Sequence, residues 1–153
     1  MNKLLFIFLL FYLHVANVYS DIIKPNTKIE PYNVVEIQLI SLKNNDKPDK
    51  DFGIEQTWEF AHPENKINTG PLNNFKKMLK NEIYSILLNH KDHKIEEIYN
   101  NKKIAIYDVI ILGSDNFYYE FKWQVERYDG KGSLNNCWLT TAVSNPVSLG
   151  ASI

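Results

Sequence analysis

The chain has 153 residues, 44% of them hydrophobic, with 17 basic side chains against 18 acidic ones. That near balance removes the electrostatic case for nucleic acid or an acidic membrane surface as partner. With a single cysteine, Cys137, no internal disulfide can form, so the fold must rest on its hydrophobic core, and the length suits one compact domain.

Lys3 precedes an apolar run from Leu4 to Leu13, and Val18-Tyr19-Ser20 stands ahead of Asp21. This is the three-part pattern of a secretory signal peptide, with the cut expected before Asp21. The apolar core, about ten residues, falls short of the roughly 20 that span hydrocarbon. Further along, Ile104 to Leu112 is too short for a span and is interrupted by Asp108, so no membrane association is expected after signal removal. The expected organisation is a signal peptide over 1–20, an extended leader over 21–32, a domain over 33–146 and a tail over 147–153. No standard Asn-X-Ser/Thr acceptor follows the signal, and the abundance of Lys, Asn and Ile reads as the mark of an AT-rich genome.

Asn33 is expected to cap a first helix, with Glu36 three residues on completing the box. Val34, Val35, Ile37, Leu39, Ile40 and Leu42 cover most of its circumference, which predicts a helix clasped by other elements. Asn44 to Lys50, with Pro48, breaks it. A second short helix follows with Ile54, Trp58 and Ala61 on its inner stripe, ended at His62-Pro63 because the residue before proline is pushed out of the helical region. A loop then leads to Gly70-Pro71, where a third helix opens with Leu72, Phe75 and Leu79 inward.

After Asn89 the period shifts toward two. Strands are predicted over His93 to Tyr99, Ile104 to Leu112, Phe117 to Glu126 and Cys137 to Val143. The third alternates Phe117, Tyr119, Phe121, Trp123 and Val125 with polar partners, as a half-buried antiparallel strand does. Gly113-Ser114-Asp115-Asn116 turns the second strand into it. Helices first and strands last predict an α+β domain with three N-terminal helices packed on a curved four-stranded antiparallel sheet. A helical hairpin beside a small closed barrel is the alternative.

Gln56-Thr57-Trp58, Phe60-Ala61-His62-Pro63, Asn65, Thr69-Gly70-Pro71 and Phe75, with Leu87-Leu88, His90, His93, Ile95 and Cys137-Trp138, Thr140, Ala142-Val143, together resemble an uncharacterised domain family. That family is found in bacteria and in plastid-targeted plant proteins and is similar to the nuclear-transport-factor-2-like superfamily. The resemblance runs from about Asn33 to Pro146 and implies a cone-shaped fold, three helices wrapped by the sheet, but no catalytic residues. It departs most between Lys102 and Asn136, where it rests mainly on Trp123. Plastid membership of relatives makes a plastid-like organelle the alternative to the secretory pathway.

Candidate chemistry is sparse. His62, His90 and His93 are the nearest approach to a metal set, but His90 and His93 at the start of a strand should point to opposite faces. No metal or other cofactor is expected; His62 and His90 should instead satisfy loop backbone groups. Asp108, Tyr107, Tyr119 and His93 offer an acid, two phenols and an imidazole to one interior cavity, the basis of a lyase or isomerase reading. Cys137 lacks a positive partner and reads as a small core residue. Trp58, Trp123 and Trp138 read as core, each with an N–H that needs a partner when buried. Tyr119, Phe121 and Trp123, with Asp108 and His93, are the candidate pocket residues. Trp58, His62, Pro63, Gly70, Pro71, His90, Cys137 and Trp138 are expected to serve structure. The functional expectation is a non-catalytic binding or assembly module for a small apolar ligand or a protein partner, with a homodimer through the sheet as a further alternative.

Overall fold

The computed structural model describes residues 21–152, so the predicted signal segment lies outside it. Four α-helices come first: α1 (Pro31–Lys43), α2 (Phe52–Glu59), α3 (Pro63–Thr69) and α4 (Leu72–Leu79). A 3-10 turn (Ser85–Leu87) leads to β1 (Asp92–Asn100), β2 (Ile104–Leu112), β3 (Phe117–Arg127), β4 (Trp138–Val143) and β5 (Val147–Ala151). The α+β order is as expected, with two additions, α3 and β5.

The first helix begins two residues earlier than its expected Asn33 cap, with Pro31 in the first turn and Glu30 at the cap position. Proline's fixed φ suits that position and needs no amide there. Asn33 lies inside the helix, its Nδ2 3.5 Å from Glu36 Oε2 on the exposed side. The leader is strapped down: Ile23 N donates to Gln56 Oε1 at 2.7 Å and Gln56 Nε2 donates to Ile23 O at 2.9 Å.

α2 ends at Glu59, earlier than the expected stop at His62-Pro63, and Ala61, expected on its inner stripe, lies outside the helix because it bridges to Thr140; Pro63 instead opens α3 where a loop was predicted. The His62 ring accepts the Glu64 amide at 3.2 Å, so His-Pro acts as a cap and first-turn pair. Gly70, at φ 83°, closes α3. That left-handed value favours glycine, and Pro71 then caps α4.

The sheet is antiparallel in the order β1-β2-β3-β4, with β5 also on β3. β3 is long enough to pair β4 along Trp123 to Arg127 and β5 along Phe117 to Glu120. The expected tail is therefore the fifth strand. β1 and β4 are not paired, so the sheet is open and the closed-barrel alternative is set aside. Bulges at Glu97/Tyr99, Gln124/Val125 and Tyr118/Tyr119 bend the strands that carry them.

The core lies between α1 and one face of the sheet. Val34, Val35, Leu39 and Leu42 meet a layer formed by Tyr107, Val109, Ile111, Phe121, Trp123 and Val125, all buried. Strict alternation on β2, with Ala105, Tyr107, Val109 and Ile111 inward, gives that layer its register against β3. On β3 the inward set begins at Tyr119, which is half-buried; Phe117 is exposed. α2 crosses α1 at Gly53, where a Cβ would stand 2.1 Å from Ser41 O. Asn45, itself buried, ties that crossing, its carbonyl and side-chain oxygens accepting the amides of Gly53 and Ile54.

Candidate functional site

A cleft of about 270 Å³ opens between α2, α3 and α4 on one side and β4 on the other. Trp58, Phe75, Met78, Leu87, Ala142 and Val143 supply apolar wall, while Asn65, Thr69 and Tyr84 add polar groups. Thr57, whose hydroxyl donates to Gly53 O at 2.8 Å, is a buried polar residue of the lining, and so are Gln38, Trp123 and Thr140.

The last three side chains form a closed hydrogen-bond set. Gln38 Oε1 accepts from Thr140 Oγ1 at 2.6 Å and from Trp123 Nε1 at 3.2 Å, and Gln38 Nε2 donates to Thr57 O at 3.1 Å. Trp123 Nε1 also lies 3.3 Å from Thr140 Oγ1. Buried amides and indoles are stable only when paired, so these bonds fix the rotamers of the cleft floor.

The wall next to β4 is built by the Phe60-Ala61-His62-Pro63 segment. His62 N donates to Thr140 O at 2.9 Å and Thr140 N donates to Phe60 O at 2.8 Å, making a short parallel bridge centred on Ala61. Asn65 Nδ2 donates to the carbonyls of Thr140 and Thr141 at 3.1 and 2.8 Å. The free edge of β4 is thereby covered, and α3 is pinned beside the cleft. Trp58 packs on Phe75 with ring centroids 5.0 Å apart, and the Lys66 ammonium lies 5.4 Å above its ring. Trp58 is half-buried, not the closed core residue expected.

Of the candidate pocket residues, Trp123 alone lines the cleft. Phe121 is buried in the core. Tyr119 donates to Asp115 Oδ2 at 2.6 Å at the turn end of the sheet. Asp108 alternates onto the sheet face opposite Tyr107 and pairs with Lys122, its cross-strand neighbour. Tyr107 is buried with its hydroxyl 3.5 Å from Glu97 Oε2, and burial foremost, then that carboxylate, raises its pKa. The acid, phenols and imidazole of the lyase reading therefore do not share one cavity, because period-two alternation sends Asp108 and Tyr107 to opposite faces.

His90 and His93 depart from expectation in the other direction. His90 precedes the strand, after Asn89 at φ 53°, and turn geometry brings the rings together: His90 Nε2 lies 2.8 Å from His93 Nδ1. His90 Nδ1 reaches Leu87 O at 2.7 Å, satisfying a loop carbonyl as predicted. Burial lowers the His90 pKa to about 4 and is also the main cause lowering that of half-buried His93. His62 stacks edge-on to Tyr128 at 5.4 Å, apart from this pair. Among the described residues no group of three His, Cys, Asp or Glu side chains converges as a metal site. Cys137 is a buried free thiol whose pKa is raised by burial, and Trp138 Nε1 is buried without a hydrogen-bond partner.

The residues missed in the sequence are Gln38 and Thr140. Gln38 carried a signal, as a polar residue set among Val35, Ile37, Leu39 and Leu42 on a helix apolar nearly all round. Thr140 stood among the residues of the resemblance, but nothing local marked it as a site residue, since threonine is ordinary in a strand. No helix among the described residues is long and apolar enough to cross a membrane. Compared with models of known families, with curated proteins and with solved structures, the chain matches none.

Proposed function

We propose that this protein is a non-catalytic binding module of the secretory pathway that takes a small, mostly apolar molecule into the cleft beside β4. The observation that carries the reading is the cleft's lining: apolar walls, a floor whose polar groups are already paired, and no carboxylate, imidazole, thiol or amine among its residues. Such a surface gains affinity by removing ligand area from water, at about 25 cal/mol per Å² of apolar area, less the cost of immobilising the ligand. It lacks the acid–base pair that proton transfer needs. The helices-then-strands order and the quoted motif residues support a nuclear-transport-factor-2-like fold, and the Lys3, Leu4 to Leu13 and Val18-Tyr19-Ser20 pattern supports secretion.

Thermal-shift screening with uncharged apolar compounds tests the binding reading. Stabilising compounds are expected, and Ala142→Trp, which places a large side chain at the cleft wall, should cancel their effect. Compounds that stabilise the Ala142→Trp protein equally would sink it.

A second reading, a homodimer through the sheet, is favoured by the row Ile104, Ile106, Ile110 and Leu112 on the face away from α1, all half-buried. Analytical ultracentrifugation showing a monomer at all concentrations would remove it.

A further inference from the structure

Lys66 is the one described lysine that is half-buried yet has no carboxylate within salt-bridge distance. The other half-buried lysines are paired, Lys43 with Asp92 at 3.4 Å and Lys76 with Glu55 at 2.6 Å. Lys66 Nζ instead donates to Glu59 O at 3.3 Å and stands over Trp58, a cleft-wall residue. Lys66 does not itself line the cleft, but the Trp58 ring beneath its ammonium and its helix neighbours Asn65 and Thr69 do. The Glu59 carboxylate is engaged elsewhere, by Lys24 at 2.9 Å.

A partly desolvated ammonium is unfavourable unless an anion or several acceptors surround it. In Lys66 burial is the main cause lowering the pKa, with Lys24 adding repulsion and Glu59 opposing. One carbonyl and one aromatic face leave donors of that ammonium unused. A carboxylate arriving on a ligand would complete the set; the lining holds no carboxylate to repel it, and the Glu59 carboxylate, which acts on Lys66, is offset by Lys24 at 2.9 Å.

Resting on the binding reading above, we infer that the ligand is a monocarboxylic acid with an apolar tail, the tail lying in the cleft and the carboxylate pairing with Lys66. The floor's paired Gln38, Trp123 and Thr140 need nothing from the ligand, so polar recognition falls to the Trp58 and α3 side. The cleft volume is near the lower end of the range for small-molecule sites, which suits a short or medium chain.

Isothermal titration of the purified protein with octanoate and with 1-octanol at neutral pH tests this. Octanoate should bind about tenfold more tightly, the ratio that corresponds to about 1.4 kcal/mol. Lys66→Met should abolish the difference and Lys66→Arg should keep it. Independently of any variant, octanoate should protect Lys66 from reductive methylation, mapped by mass spectrometry, and 1-octanol should not. Equal affinities in the wild type, a preference that survives Lys66→Met, or unprotected Lys66 overturns the inference. Binding of 1-octanol alone leaves the apolar-cleft reading standing, whereas binding of neither ligand removes both.

Discussion

Acidification should destabilise this fold through His90, in a pH window that lies mostly above that of the carboxylates. The ring is buried, with Nδ1 on Leu87 O at 2.7 Å and Nε2 on His93 Nδ1 at 2.8 Å. These partners assign the protons: His90 Nδ1–H donates to the carbonyl, and His93 Nδ1–H donates to His90 Nε2. The pair holds one added proton, on His93, with its bond intact. A second, on His90, sets two N–H donors against each other. The charged groups around the pair are Lys43 and Glu36 from α1 and Asp92 from β1; Lys43 opposes protonation of both rings and Asp92 favours it. Because the folded pKa lies below the unfolded one, the stabilisation is fully present above about pH 6.5 and is lost as pH falls toward about 4. That separation corresponds to about 3 kcal/mol at 1.36 kcal/mol per unit, with His93 adding in the same direction. Asp46, Asp92 and Asp115 have lowered pKa values through hydrogen bonds, so their contributions vanish only at lower pH. Urea midpoints followed by tryptophan fluorescence from pH 7 to 4 should fall steadily in the wild type. His90→Asn, whose amide can still reach Leu87 O, should be less stable at pH 7 and show a much flatter profile. A wild-type midpoint constant across that range would refute the reasoning.

Four further outcomes are expected. Trp58→Ala should cost about 2 kcal/mol, below the roughly 3–5 of a fully buried aromatic, because Trp58 is half-buried and stacks mainly on Phe75; chemical denaturation decides, and a loss above 4 kcal/mol would restore it to the closed core. Gln38→Leu should cost about 1–3 kcal/mol by removing the acceptor shared by Trp123 and Thr140 and the donor to Thr57 O; an unchanged midpoint would show that the floor's bonds do not hold it. Gly53→Ala should cost about 3 kcal/mol or more, since its Cβ would press on backbone atoms of Ser41; an equally stable variant would place α2 farther from α1 than described. Mass spectrometry of the secreted protein should find Asp21 at its N-terminus, and Met1 there would remove the signal-peptide proposal.

Much of the architecture followed from local chemistry. Proline is excluded from helix interiors but suits a first turn, so Pro48 keeps its segment non-helical while Pro31 and Pro63 open α1 and α3, and the aromatic alternation from Tyr119 to Val125 can only be a strand with one buried face. Leu72, Phe75 and Leu79 at helical spacing set α4's inner side. What the pattern missed lacked a local signature. α3 has no buried residue and is held by its cap, its carbonyl bonds to β4 and Pro63. β5 alternates only over Val147, Leu149 and Ala151, all exposed, too short a run to read as a strand, and it forms because β3 is long enough to offer it a free edge. The site was decided by tertiary structure almost entirely. Alternation along β2 alone puts Asp108 and Tyr107, adjacent on the strand, on opposite faces; the register with β3 decides which face turns inward and makes Lys122 the partner of Asp108. The cleft exists because Gln38, Trp123 and Thr140, 85 and 102 residues apart across two of their bonds, meet beneath it. No local rule predicts such contacts, since hydrogen-bond partners separated that far along the chain are chosen by packing.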